Sequence, residues 1–260
     1  MILAGTLALA DAIVTIAWQE PLSALYASLR QDRLGSALRQ AERAPPTAIE
    51  RARLAGLADE RRRIALLAED MQRRSGEGAA VGRIEIPRLG ATFVVVKGTN
   101  SEDLESGPGI DEETTFPGTG GTTLIAGHRT TFLAPFRHID ALRPGNTIEL
   151  QMPYAQLTYT VVGQRVVAPT DVEAAVARVG YTRLVLSACT PLFSAAKRLL
   201  VFARLSRTVP RGPALLLPGA QLAQPIEAPE RAPAHPAPAR RRALPPVLEP
   251  IDRHVIPPLV

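Results

Sequence analysis

The periodicity of apolar residues changes three times along the chain. Residues 1–18, MILAGTLALADAIVTIAW, are apolar almost without interruption, with one acid at Asp11. That is close to the shortest run able to span a hydrocarbon core of about 30 Å. Trp18 closes it where an aromatic ring suits the membrane interface. A membrane anchor helix is the expectation for 1–18. A secretory signal peptide cut after Ala8-Leu9-Ala10 fits less well, because no basic residue precedes the run and cleavage there leaves it short. A buried helix of a soluble protein is the third reading.

From Pro21 to Arg74 the chain is rich in Ala, Arg and Glu and follows a helical period. Leu54, Leu57, Ile64, Leu67 and Met71 form one apolar stripe on an otherwise charged surface. Pro45-Pro46 interrupts it, and Thr47 with Glu50 three residues later has the form of an N-cap and capping box. Residues 19–75 therefore read as a helical stalk or linker, or as helices that pack. After Ser75-Gly76-Glu77-Gly78 the pattern turns to short β-rich runs at 81–86, 92–97, 122–126, 146–152, 157–168, 183–188 and 198–205. A short helix is expected over 171–179, with Asp171 at its N-terminus. Seven or eight strands with few helices predict a mainly β fold, a closed barrel of about eight strands over 76–210. Residues 211–260 are dominated by Pro, Ala and Arg without periodicity and read as a disordered tail.

Charge narrows the partners. The net charge is +5, and Lys97 and Lys197 are the only lysines among 30 basic residues. The arginines are dispersed and no aromatic residues interleave with them, so no nucleic-acid partner is expected. Arg61-Arg62-Arg63 and the Arg240–Arg242 cluster read as solvated. One cysteine excludes an internal disulfide and a cysteine-rich metal site. The four histidines, at 128, 138, 235 and 254, are too scattered for a metal cluster.

That cysteine, Cys189, follows the apolar run 184–188 and precedes Thr190-Pro191, so the thiol is expected at a strand end where a loop opens. Arg198 begins the next run; if the two strands are antiparallel neighbours, Cys189 and Arg198 share a rim. His128 follows the strand 122–126, with the small Ala126-Gly127 allowing the chain to turn. An imidazolium and a guanidinium near a thiol favour the nucleophilic thiolate. A histidine also supplies the proton an amine leaving group needs, and an arginine can face a developing oxyanion. From the residues alone, a buried inert thiol remains the competing reading of Cys189.

The surroundings of these residues resemble the sortases, cysteine transpeptidases of Gram-positive cell surfaces. GTGGTTLIAGHRTTFLAPFRHIDALRPGN looks like the family's histidine block, VLSACTP like the end of its "TLxTC" signature, and AAKRLLVFARL like its arginine strand. GPGIDEETTFPGTGG is similar to the loop that precedes the histidine strand, and WQEPLSALYA resembles the membrane-proximal segment of the actinobacterial class E type. Val185 and Ala188 stand where the signature has threonines, and Ala188 removes a hydroxyl that could contact substrate. Many class E-like sequences have His-Pro where this chain has Thr190-Pro191.

The resemblance implies a sortase-like barrel behind an N-terminal membrane helix. It assigns Cys189 as the nucleophile that attacks the Thr–Gly carbonyl of an LPxTG- or LAxTG-type sorting motif and forms an acyl-thioester. His128 is then the general acid/base, and Arg198 holds substrate and faces the oxyanion. The implied partners are secreted proteins bearing the motif and an amine from a peptidoglycan precursor or a pilin lysine. No cofactor is implied, and no acidic cluster is specific enough to expect calcium. Segment 166–182 is expected to wall the substrate groove, without individual binding residues assigned. The implied location is the cell membrane, single-pass, with the catalytic domain outside. Arg30 and Arg33 after the apolar run, with nothing basic before it, point the other way by the positive-inside rule. A scaffold that binds sorting motifs without turnover and a hydrolytic cysteine peptidase are the alternatives. A papain-like order, cysteine before histidine, is the reverse of that seen here.

Overall fold

The computed structural model describes residues 21–216. The expected membrane helix at 1–18 and nearly all of the expected tail lie outside the described residues. Among those described, no helix is long and apolar enough to cross a membrane.

Among the described residues three helices precede the barrel: α1 (Pro21–Arg43), α2 (Ala48–Ala55) and α3 (Glu60–Arg74). The double proline ends α1, since a residue before proline is pushed out of the helical region. Thr47 then starts α2 with the expected capping box: its hydroxyl accepts from the Glu50 amide at 3.1 Å, and the Glu50 carboxylate accepts from the Thr47 amide at 2.7 Å. Gly56 ends α2 and Asp59 caps α3, so the apolar stripe is divided between two helices. Leu54, Ile64, Leu67 and Met71 are buried in the same core as the barrel strands. Burying each contributes about 1.5–3 kcal/mol relative to exposure, which favours packing over a free-standing stalk. Glu50, itself buried, is neutralised by Arg74 at 2.8 Å across the α2–α3 pair.

The strands are β1 (Ala80–Ile86), β2 (Ala91–Lys97), β3 (Gly109–Ile110), β4 (Thr122–Ala126), β5 (Thr147–Gln151), β6 (Ala155–Val167), β7 (Arg183–Thr190) and β8 (Lys197–Pro210). A short helix, α4 (Ser101–Ser106), joins β2 to β3, and α5 (Val172–Val176) joins β6 to β7. The strands close into a barrel in the order β1-β2-β3-β4-β7-β8-β6-β5. β2–β3 and β4–β7 are parallel; the other pairs are antiparallel. β3, two residues long, was invisible to periodicity because two residues carry none. β8 runs five residues beyond its expected end, paired to β6 as far as Ala155–Pro210. Past it the chain remains on the barrel instead of entering a tail at 211. The Arg211 amide donates to the Tyr154 carbonyl at 2.9 Å, and helix α6 (Pro213–Leu216) packs Ala214 and Leu215 on the core.

α1 is attached by its buried Ala27 and Leu38, by Arg30, whose Nη1 donates to Ser106 Oγ at 2.8 Å, and by the amide side chain of Gln31. β2 pairs with β3 only at Val96 and Lys97, leaving the edge at Val94 bare. Gln31 Nε2 donates to the carbonyls of Val94 at 3.0 Å and Ser106 at 2.7 Å, and its Oε1 accepts from the Val94 amide at 2.8 Å. It thus supplies both partners that a neighbouring strand would have given. Gly107 is required there, because a Cβ would come within 2.3 Å of Gln31 Nε2.

Two tyrosines sit in the core with different fates. The Tyr154 hydroxyl donates to the Pro117 carbonyl, whereas the Tyr159 hydroxyl is buried without a partner among the described residues. Burial pushes both phenols well above their ordinary value. An unpaired buried hydroxyl costs about 1–3 kcal/mol, while a made hydrogen bond contributes about 1 kcal/mol. Tyr159→Phe is therefore expected to leave the melting temperature unchanged or raise it, and Tyr154→Phe to lower it. Thermal unfolding of the two variants side by side checks this; a clear loss in Tyr159→Phe would show that its hydroxyl is satisfied.

Candidate active site

Strand register brings the three sequence-predicted residues to one end of the barrel. Cys189 on β7 is the direct antiparallel partner of Arg198 on β8. On the other side of β7, Ala126 pairs in parallel with Ser187, and the Gly127 amide donates to the Ser187 carbonyl at 3.1 Å. Counted on two residues from that pair, the register of β4 sets His128 opposite Cys189. β7 extends through Thr190, so the thiol lies just inside the strand, not beyond its end.

Alternation then decides the face. Leu184, Leu186 and Ala188 of β7, with Leu199, Val201 and Ala203 of β8, point into the barrel core. Val185 and Leu200 lie on the other face, where with Val167 they pack against Ala175 of α5. Cys189 and Arg198 share the parity of this outer face. Cys189 and Arg198 thus border an external surface floored by β7 and β8 and overlain by α5. Ala188 is 3% exposed and faces the core. A hydroxyl at 188 would point into the core, away from the face that carries Cys189.

The loop carrying His128 turns back at once. The His128 carbonyl accepts from the Phe136 amide at 2.9 Å, and the fully buried Phe136 ring lies against Gly127. A Cβ at position 127 would be 2.7 Å from that ring. Between these anchors Phe132, Leu133 and Ala134 have φ of 49°, 64° and 43°, three successive left-handed residues. The turn sets the Phe132 ring 5.3 Å from the imidazole of His128. Burial lowers the His128 pKa below its ordinary 6.5, and the charge of Glu105 opposes that shift.

Arg198 is brought to the site by register, but its guanidinium is not engaged there. Its Nη1 donates to the carbonyls of Ala195 at 3.1 Å and Lys197 at 3.3 Å. No hydrogen bond joins Cys189, His128 and Arg198 among the described residues. Sequence reasoning missed Arg129. Its side chain is 4% exposed and bonds the Arg137 carbonyl, the Thr190 hydroxyl and Asp140. The only signal in the sequence was its place beside His128, and burial of an arginine leaves no pattern in one sequence.

Other features lie away from this end. A cavity of about 660 Å³ opens between Arg61 and Arg62 of α3 and Arg204 and Arg207 of β8, beside the start of β7 and remote from Cys189. Among the described residues no group of His, Cys, Asp and Glu is arranged to hold a metal ion.

Two outcomes are expected. Gly127→Ala forces Phe136 or the His128 backbone to move, at a cost of about 1–3 kcal/mol, and lowers both the melting temperature and the reactivity of the site. For His128 the folded pKa is depressed, so its contribution to stability is full above pH 6.5 and declines as pH falls below that value. Between pH 7 and pH 5 the wild type should therefore lose more stability than His128→Gln. Equal losses would mean that the ring titrates as it does in the unfolded chain.

The comparisons with known proteins come down on one family. Residues 84–206 match the model of the Sortase domain. Sortase D of Bacillus subtilis (strain 168) is 30% identical over 130 residues, which are 49% of this chain and 64% of that protein. The chain thus spans less than two thirds of that relative's length. Among solved structures, the SrtF sortase from Corynebacterium diphtheriae superposes with a TM-score of 0.50 at 24% identity, covering 54% of this chain and 94% of that one. Clostridium perfringens sortase C, solved with the C-terminal cell wall sorting motif, gives 0.50 at 24% identity over 57% and 89%. These structural likenesses show the shared fold, and the matches do not distinguish among the family's classes. The domain match spans β4, β7 and β8 and holds Cys189, His128 and Arg198, so residues 84–206 form a domain of the sortase family.

Proposed function

We propose that this protein is a membrane-anchored sortase that cleaves an LPxTG- or LAxTG-type motif between Thr and Gly and transfers the new carboxyl end to an amine. The observation that carries the reading is the register of Cys189 with Arg198, with His128 two residues past the end of the adjoining strand β4. In the first half-reaction the Cys189 thiolate attacks the threonine carbonyl carbon. The C–N bond to glycine breaks, His128 gives the departing amine its proton, and an acyl-thioester remains. In the second, an incoming amine attacks the thioester, loses a proton to His128 and expels the Cys189 sulfur. A histidine whose proton affinity is reduced by burial is a stronger acid once protonated, which suits the first transfer.

Arg198 faces the substrate and the oxyanion in this scheme. Its present contacts to loop carbonyls are exposed, and such hydrogen bonds exchange for substrate contacts at little net cost. The groove runs along the outer face beneath segment 166–182. Val166, Val172 and Val176, exposed on that segment, supply apolar contacts suited to the leucine of a sorting motif. The anchor is residues 1–18, with the catalytic barrel on the outer side of the membrane. The acceptor is the amine of a peptidoglycan precursor or a pilin lysine.

The test is mass spectrometry of the protein incubated with LPxTG and LAxTG peptides, with and without an added amine, beside Cys189→Ala. Cleavage between Thr and Gly with amine capture, abolished in Cys189→Ala, is the expected result. Cleavage that ignores the amine would replace transfer with hydrolysis. Absence of cleavage, together with a thiol that iodoacetamide modifies only on unfolding, would leave a motif-binding scaffold.

A further inference from the structure

We propose that Arg129 is a positioning residue that clamps the His128 loop to the Cys189 strand and so fixes the two reacting side chains relative to each other; the proposal rests on the catalytic reading above. Arg129 is bonded in sequence to His128, and its Nη1 donates at 3.3 Å to the hydroxyl of Thr190, the residue after Cys189. One side chain therefore joins the immediate neighbours of both catalytic residues. Thr190 alternates with Cys189 on β7, so this link lies on the core side of the strand, behind the reacting face.

The burial of this group shows that the contacts matter. A guanidinium removed from water is costly unless paired and hydrogen-bonded, and this one is 4% exposed. Its Nε and Nη2 converge on the Arg137 carbonyl at 3.1 and 3.0 Å, and Nη2 also meets Asp140 Oδ1 at 3.0 Å. The fork thus closes residues 129–137 into a loop.

That loop needs closing. Phe132, Leu133 and Ala134 are all in the left-handed region, which disfavours each by about 1–2 kcal/mol for residues bearing a Cβ. Such a turn persists only where its ends are held. The His128–Phe136 backbone bond holds one layer and Arg129 with Arg137 holds the next. The turn in turn places Phe132 beside the imidazole. Without the clamp the loop relaxes, Phe132 leaves His128, and the tie to the Cys189 strand is lost. No group that touches substrate is removed.

The predicted signature is a loss in kcat without a matching rise in KM. Misplacement by about 1 Å costs on the order of 10²-fold, so Arg129→Met should lower kcat on the cleaved LPxTG or LAxTG peptide by about that factor, with KM little changed. Arg129→Lys keeps the pairing with Asp140 but cannot fork onto the Arg137 carbonyl, and should recover part of the rate. Should Arg129→Met fail to fold, Thr190→Val decides, since it removes only the link to the Cys189 strand. It should slow kcat, and Thr190→Ser, which restores the hydroxyl, should return most of the loss. Alkylation of Cys189 by iodoacetamide needs no peptide and separates the two readings. A wild type that cleaves neither peptide sinks the sortase reading, whereas slower alkylation in folded Arg129→Lys and Thr190→Val still supports the clamp. Folded variants with wild-type kcat and alkylation rate, or with a loss confined to KM, overturn it.

Discussion

The pairing of β7 with β4 on one side and β8 on the other is the constraint on which the site depends. Parallel register to β4 and antiparallel register to β8 bring a residue after β4 and a residue at the start of β8 to the same height as Cys189. The side-chain period of a strand is two, so a slip of one residue in either ladder would turn Cys189 into the core or carry Arg198 away from it. The apolar alternation Leu184, Leu186, Ala188 against Leu199, Val201, Ala203 opposes such a slip, because it would expose the whole set. Core packing and the alignment of Cys189 with Arg198 are set by the same ladder.

The helices before the barrel belong to this economy of satisfied groups. The buried Glu50 both completes the α2 cap and neutralises Arg74 of α3, so one carboxylate serves a helix end and a tertiary contact. Gln31 closes the bare edge of β2 and bonds Ser106 at the end of α4. Glu105, next to Ser106, contributes charge at His128. α1 thus holds, through Arg30 and Gln31, the short helix whose Glu105 charge acts on His128.

Around His128 opposing terms meet. Burial beneath a left-handed turn favours the neutral ring, while Glu105 favours the charged one. The balance leaves a histidine whose affinity for a proton is reduced. Maintaining it requires a loop conformation that its own backbone disfavours, held by a buried arginine and a phenylalanine packed on glycine. Strain confined to the residues beside a reacting group is tolerated where the surrounding packing over-determines it.

Local rules were enough for much of this protein. The Thr47 cap, the strands of five or more residues and the β-rich barrel followed from capping chemistry and period-two patterning, because each is encoded by neighbours in the chain. Cys189, His128 and Arg198 could be named from the residues and motifs around them, each beside the end of a recognisable strand. What the chain could not reveal were features that depend on distant partners: the two-residue β3, the extension of β8 along β6, the packing of 211–216, and the inward face of Ala188. The burial of Arg129 belongs with these, since its partners at 137, 140 and 190 meet only when the barrel closes. Sequence by itself named candidate residues for chemistry and determined which elements carry them. Tertiary structure decided which face they share and what holds them there, because register and burial are properties of pairs of strands and not of either one alone.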